Sequence, residues 1–254
     1  DMMPLDVSRF GDWTTKGYTM AKTAENYGKR FAISYPAEER PAGRPLKTPP
    51  IYDLLKEQGA VFGASFGFER PLWFARDGEE ARDILSFRRP NWFAAVGREC
   101  NALRTGVGMI EISGFAKYEI TGPDAETFLD RMLACKLPKK AGRTVLAPML
   151  NTKGGIIGDF TVTRISDTNF YMVGAGAAER FHLRRFADEQ GDADVTVRSV
   201  TAERAGLAIA GPNSRKLLER LTTDDVSAES FKFMATRDME VANVPARVMR
   251  ISFT

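Results

Sequence analysis

With 254 residues, 43% of them hydrophobic and 27% charged, the chain can bury a core and lies outside the compositions of disordered, collagen-like and disulfide-scaffold chains. The formal net charge of +3 comes from scattered basic residues with short clusters at Arg88-Arg89, Lys139-Lys140 and Arg184-Arg185; this is not the dense stripe with interleaved aromatics of a nucleic-acid surface. No run approaches the ~18–20 apolar residues that span a bilayer, so no membrane partner is expected. Cys100 and Cys135 have neither the number of a disulfide framework nor the spacing of a zinc site. A reducing, cytoplasmic setting is expected, with both thiols buried as small apolar groups. The opening Asp1-Met2-Met3-Pro4-Leu5-Asp6 has no basic region followed by an apolar run, so no secretory signal is expected. The chain reads as an internal piece of something longer.

Residues 1–50 mix Gly11, Gly17, Gly28, Pro36, Pro41, Gly43, Pro45, Pro49 and Pro50 with Phe10, Trp13, Tyr18, Tyr27, Phe31 and Tyr35. This composition predicts one helix from Thr15 to Tyr27 and an extended connector from Pro36 to Pro50. A short helix over Ile51–Gln58 is stopped by Gly59. Ala60 to Phe68 is glycine-rich and aromatic, Gly78 to Ser86 reads as helix, and Asn91 to Leu103 as another.

From Gly108 the pattern becomes strands alternating with helices. Strands are predicted over Ala116–Thr121, Arg143–Leu150, Ile156–Arg164, Asn169–Val173, Val195–Val200 and Gly206–Ala210, with a closing hairpin from Glu240-Val241 to Ala246–Phe253 over Asn243. Helices are predicted after Gly122-Pro123-Asp124, over Ala177–Gln190 and over Pro212–Leu221, the first and last opening on Pro at the start of the turn. Two passages match: a strand, Gly122-Pro123-Asp124-Ala125 and a helix, then a strand, Gly211-Pro212-Asn213-Ser214 and a helix. The second half is therefore an α+β arrangement of tandem strand–helix units.

One carboxylate carries the strongest chemical signal. In Asn151-Thr152-Lys153-Gly154-Gly155-Ile156-Ile157-Gly158-Asp159-Phe160 a turn delivers an apolar strand that Asp159 interrupts. A charge in such a strand costs desolvation free energy unless it is paired or belongs to a site, and the glycines would let a flat ligand approach the backbone. The alternative is a carboxylate on the exposed face of an edge strand. The only histidine, His182, stands in the basic helix Glu179–Arg185 and is expected to lie on the surface or partly packed. One histidine supplies too few partners for a metal site or a catalytic triad.

Several motifs in order resemble the aminomethyltransferase (glycine cleavage T-protein) family. They are Ile112-Ser113, Ile120-Thr121-Gly122-Pro123-Asp124-Ala125, Met149-Leu150-Asn151 with Gly154-Gly155-Ile156 and Asp159, Ala210-Gly211-Pro212-Asn213-Ser214, and Arg250-Ile251-Ser252-Phe253-Thr254. Ala42-Gly43-Arg44-Pro45 and Phe68-Glu69-Arg70-Pro71-Leu72-Trp73-Phe74 look like the join that follows the flavin domain in dimethylglycine and sarcosine dehydrogenases. Gly114, where T-proteins carry histidine, favours the same branch.

The resemblance implies an aminomethyltransferase-like folate-binding fold with mostly antiparallel sheets over residues 51–254. Residues 1–50 would be the aromatic, proline-rich tail and linker of an FAD oxidoreductase domain. It implies tetrahydrofolate and FAD as cofactors and an N-methyl amine as substrate. A second copy of the chain or an electron-acceptor protein would be the protein partner. In such families the carboxylate at Asp159 sits beside the reacting folate nitrogen. Phe253 falls on the ring-stacking position, and Phe115, Leu146 and Val173 on lining positions. The glutamate that grips the pterin would follow Thr254, so weak folate binding by this chain alone is expected. A stand-alone aminomethyltransferase taking its carbon from a lipoyl carrier, and a non-catalytic folate-binding module, remain the alternatives.

Overall fold

The computed structural model describes residues 10–251 except Asp12; the expected stacking residue Phe253 lies outside the described residues. The chain divides into two compact units, Asp1–Gly114 with Ala205–Gly211, and Phe115–Arg204 with Pro212–Thr254. No helix among the described residues is long and apolar enough to cross a membrane.

In the first unit, α1 (Lys16–Gly28) starts where the Thr15 hydroxyl accepts the Tyr18 amide, a side-chain N-cap. After the short α2 (Tyr52–Glu57), Gly59 turns the chain at φ +85 so closely that a Cβ would lie 2.4 Å from the Ala75 carbonyl oxygen. The glycine-rich aromatic stretch proves to be a hairpin. β1 (Ala60–Ser65) pairs antiparallel with β2 (Phe68–Phe74), around Phe66-Gly67, both at positive φ, as tight hairpin turns require. Val61 and Trp73 of the hairpin pack with Ala95 of α3 (Trp92–Thr105). β3 (Gly108–Glu111) pairs antiparallel with Leu207–Ala210.

The connector before α2 is anchored to this hairpin. The Lys47 amide donates to the Gly67 carbonyl and the Glu69 amide to the Lys47 carbonyl. The Arg44 guanidinium grips Glu69 with two bonds, Nε to Oε1 at 2.8 Å and Nη2 to Oε2 at 2.6 Å, and also donates to the Phe62 carbonyl. Glu69 is buried. The bidentate contact raises the Arg44 pKa further above its ordinary value and supplies the partner a buried carboxylate needs. The two motifs at Arg44 and Glu69 therefore meet in space.

Two expectations, one for this unit and one for both cysteines, fail. Gly78–Ser86 forms turns and bends instead of a helix. Here side chains take the backbone groups a helix would use: Glu79 accepts the Arg76 amide, and Asn91 accepts the Ile84 amide and donates to the Arg82 carbonyl. Cys100 is exposed on α3, not buried, and Cys135 is only half-buried.

The second unit is built on one seven-stranded sheet. Its strands are β4 (Ala116–Thr121), β5 (Arg143–Leu150), β6 (Ile156–Arg164), β7 (Asn169–Gly174), β8 (Thr196–Ser199), then, beyond the β3 partner β9 (Leu207–Ala210), β10 (Ala235–Val241) and β11 (Val244–Arg250). The order is β11-β10-β5-β6-β7-β4-β8, antiparallel at every pairing. α4 (Ala125–Met132) and α5 (Glu179–Gln190) cover one face. There Phe128, Leu129 and Phe186 pack on Tyr118, Ile120, Met149, Phe160, Val162, Phe170 and Met172. β10 pairs with β5 at Ala235–Arg143, and a smaller core of Val226, Phe231 and Met239 sits beside it.

The two Gly-Pro passages share their local geometry. Gly122 and Gly211 both have positive φ, and a Cβ at either would lie 2.2 Å and 2.5 Å from a backbone oxygen, of Asp194 and Gly106 respectively. Asp124 and Asn213 take nearly the same φ and ψ before α4 and α6 (Ser214–Glu219). Their strands differ in setting: β4 lies inside the seven-stranded sheet and β9 pairs only with β3.

Candidate functional site

The turn before Asp159 is built by Asn151. Its side-chain oxygen accepts the amides of Lys153 and Gly155, each at 2.9 Å, a side-chain turn that fixes the β5–β6 hairpin. A register shift between Met149 and Leu150 follows, a bulge that re-aims the strand beside it. β6 lies between β5 and β7, but its pairing with β7 begins only at Phe160, so Asp159 is paired on the β5 side alone, opposite Pro148.

Asp159 is nonetheless exposed, as the buried run of β6 begins only at Phe160. It does not lie buried among apolar neighbours, and the desolvation argument does not apply to it. Gly158 makes room for the core and not for a ligand. A Cβ there would meet the Phe160 ring at 2.9 Å, and one at Gly174 would meet the same ring at 2.5 Å.

Strand alternation divides the sheet into two faces. Phe160 and Val162 point to the helices, so Asp159, Thr161 and Thr163 point away. In register with Thr161 stand Leu146, Val173 and Lys117. Leu146 is 51% exposed, Thr161 and Lys117 are buried, and Val173 is intermediate. The next row, Ala147–Phe160–Gly174–Ala116, has Asp159 just before Phe160 and Phe115 just before Ala116. These two residues are therefore at the same end of the sheet, separated by β7, roughly 10 Å at two strand spacings. Phe115 is exposed, and its carbonyl accepts from the Lys117 ammonium at 2.9 Å. Asp159, Leu146, Val173 and Phe115 are thus brought to one open end of the sheet. Thr161 and Lys117 share that face and escaped the sequence reading; for Thr161 the signal was simply its two-residue spacing from Asp159.

The opposite end of this face is closed. Thr144, Thr163 and Thr236 join hydroxyls, with Thr144 2.8 Å from Thr163 and 2.7 Å from Thr236. The Arg247 guanidinium lies 5.0 Å from the centre of the Tyr171 ring and grips Asp238 with two bonds. Those bonds hold the Asp238 carboxyl below its usual range. Glu119 is lowered likewise by its bond to Arg198, with Arg204 adding to the effect.

Beneath Asp159, on the helix face, His182 is 1% exposed and not on the surface as expected. The helix that carries it is basic, but position 182 turns inward with Phe186. Burial lowers its pKa to about 4 against the opposing charges of Asp159 and Glu179, so the ring is neutral. Burial pushes the Tyr118 phenol up, and its hydroxyl shares a hydrogen bond of 2.9 Å with His182 Nδ1.

The family model described as GCVT N-terminal domain matches residues 51–254. The model described as FAD dependent oxidoreductase central domain matches residues 1–48. Mitochondrial dimethylglycine dehydrogenase from Rattus norvegicus is 37% identical over all of this chain. The 4-methylaminobutanoate oxidase (formaldehyde-forming) of Paenarthrobacter nicotinovorans is 33% identical, also over all of it. The chain spans about 30% of the length of these relatives. Among solved structures, the glycine cleavage system aminomethyltransferase T of Bartonella henselae superposes with a TM-score of 0.66 at 23% identity, over 82% of this chain and 51% of that one. That likeness shows a shared mixed fold of mostly antiparallel sheets. With most of its length matched by one family model, the chain belongs to the GCVT N-terminal domain family.

Proposed function

We propose that this chain is the tetrahydrofolate-binding part of an FAD- and tetrahydrofolate-dependent oxidoreductase that demethylates an N-methyl amine. One observation carries the reading: Asp159 stands at an open sheet end with the exposed side chains of Leu146 and Phe115 and the half-buried Val173. Such a surface offers apolar contact to a flat ring and one carboxylate to its amine nitrogens. The relatives support the substrate class, since dimethylglycine and 4-methylaminobutanoate both carry an N-methyl group. The match of residues 1–48 to an FAD oxidoreductase model favours this reading over a stand-alone aminomethyltransferase.

Bound flavin would supply two-electron oxidation of the amine, in a part of the protein outside this site. The product is an iminium. Tetrahydrofolate held at this end would supply the two nitrogens that take up the iminium carbon as 5,10-methylenetetrahydrofolate, with release of the demethylated amine and one proton. Asp159 orients the folate amine, offsets the positive charge that develops on it and accepts its proton. Leu146, Val173 and Phe115 hold the ring.

The test is Asp159→Ala in the longer protein that carries this chain. Amine-driven flavin reduction should stay near wild type, while capture of the carbon as methylenetetrahydrofolate falls about 100-fold and free formaldehyde takes its place. Loss of flavin reduction itself would contradict the assigned role.

A further inference from the structure

We infer that His182, held by Tyr118, is a positioning residue that fixes the backbone beneath Asp159 for folate capture. The inference rests on the function proposed for Asp159. His182 lies against the strand directly behind that carboxylate. Its Nε2 would be 3.2 Å from a Cβ at Gly158, and its ring meets the Phe160 ring edge-on with centres 4.7 Å apart. Asp159 is the residue between those two contacts. The backbone on either side of it is therefore seated on one imidazole.

That imidazole is itself fixed. The Tyr118 hydroxyl holds Nδ1 at 2.9 Å, and Phe181 and Phe186 pack round the ring. The Tyr118 and Phe160 rings also meet, at 6.4 Å. A polar ring in this position is costly. Nε2 is buried without a protein hydrogen-bond partner, where an apolar residue of similar volume would carry no such penalty. A polar side chain kept in an apolar core despite that cost calls for an explanation. Orientation supplies one: the Tyr118 bond sets the angle of the ring, and the ring sets Gly158 and Phe160. A phenylalanine here would have no such tether.

The experiment compares Tyr118→Phe, His182→Phe, Asp159→Ala and the double variants Tyr118→Phe/Asp159→Ala and His182→Phe/Asp159→Ala in the longer, flavin-bearing protein. Flavin reduction by amine, KM for tetrahydrofolate, methylenetetrahydrofolate yield and thermal midpoint are read for each. Tyr118→Phe keeps the ring volume and so keeps the inference testable where His182→Phe fails to fold. The expected result is a severalfold loss of methylenetetrahydrofolate yield and a raised KM for tetrahydrofolate in Tyr118→Phe, with flavin reduction unchanged. Neither Tyr118→Phe nor His182→Phe should add to the loss already caused by Asp159→Ala. Wild-type capture in both single variants, or losses that add to that of Asp159→Ala, would overturn the inference while leaving the role of Asp159 intact. Unchanged capture in Asp159→Ala itself would overturn both.

Discussion

The two faces of the seven-stranded sheet use the same strands for opposite ends. On the helix face, Tyr118, Phe160, Val162, Phe170 and Met172 form a dry core closed by α4 and α5. On the other face the same strands carry Thr144, Thr161, Thr163, Lys117, Glu119 and Tyr171, and open at Leu146 and Asp159. The helix face stores stability, and the other face leaves Leu146 and Asp159 exposed. Alternation along β6 lets one strand do both, since neighbouring residues never share a face. Asp159 is placed by what packs behind it.

The comparison predicts where substitutions cost stability. Phe160→Ala should be the most damaging, at about 3–5 kcal/mol by chemical denaturation, because the ring fills the space over Gly158 and Gly174. A small loss there would mean that the helix face is not the main core.

Next in size is a pH effect. The His182 pKa is lowered by burial to about 4 in the fold, against about 6.5 when unfolded. The unfolded chain therefore binds the extra proton first. The stabilisation is fully present above pH 6.5 and is lost as pH falls towards 4. The lost term is roughly 3 kcal/mol over that window. This chain has a single histidine, so its proton resonance reports directly: it should show no titration between pH 7 and 5. A midpoint near 6.5 would place the ring in solvent.

Thr163→Val should cost about 1 kcal/mol, since Thr144 and Thr236 keep each other as partners. A cost above 3 kcal/mol would mean that the hydroxyl cluster acts as one indivisible network. At the open end, Leu146→Ala and Asp159→Ala should change stability by no more than about 0.5 kcal/mol. A large loss in either would make that end structural instead of a binding surface.

Much of this was legible in the residues. The bounds of β5 and β6 follow from their apolar runs and the Asn151–Gly155 turn, and the paired Gly-Pro turns were visible as repeats. Arg44 and Glu69 were legible as motifs, but not as partners, because their contact spans 25 positions. Gly78–Ser86 departs from its helical composition because Asn91 and Glu79 take the backbone bonds, which the segment's composition does not show. Asp159 was singled out by its apolar neighbours, yet it is exposed; its relation to Leu146, Val173 and Phe115 depends on strand register, which no single segment contains. The charges around His182 along the helix point to the surface, whereas its burial depends on which side of α5 meets the sheet.

The most direct test is the structure of the complete protein with tetrahydrofolate bound. The account predicts the pterin against Leu146 and Val173 on the open face, with an Asp159 carboxylate oxygen within about 3 Å of a folate nitrogen. Folate bound elsewhere, with Asp159 facing bulk water, would contradict it.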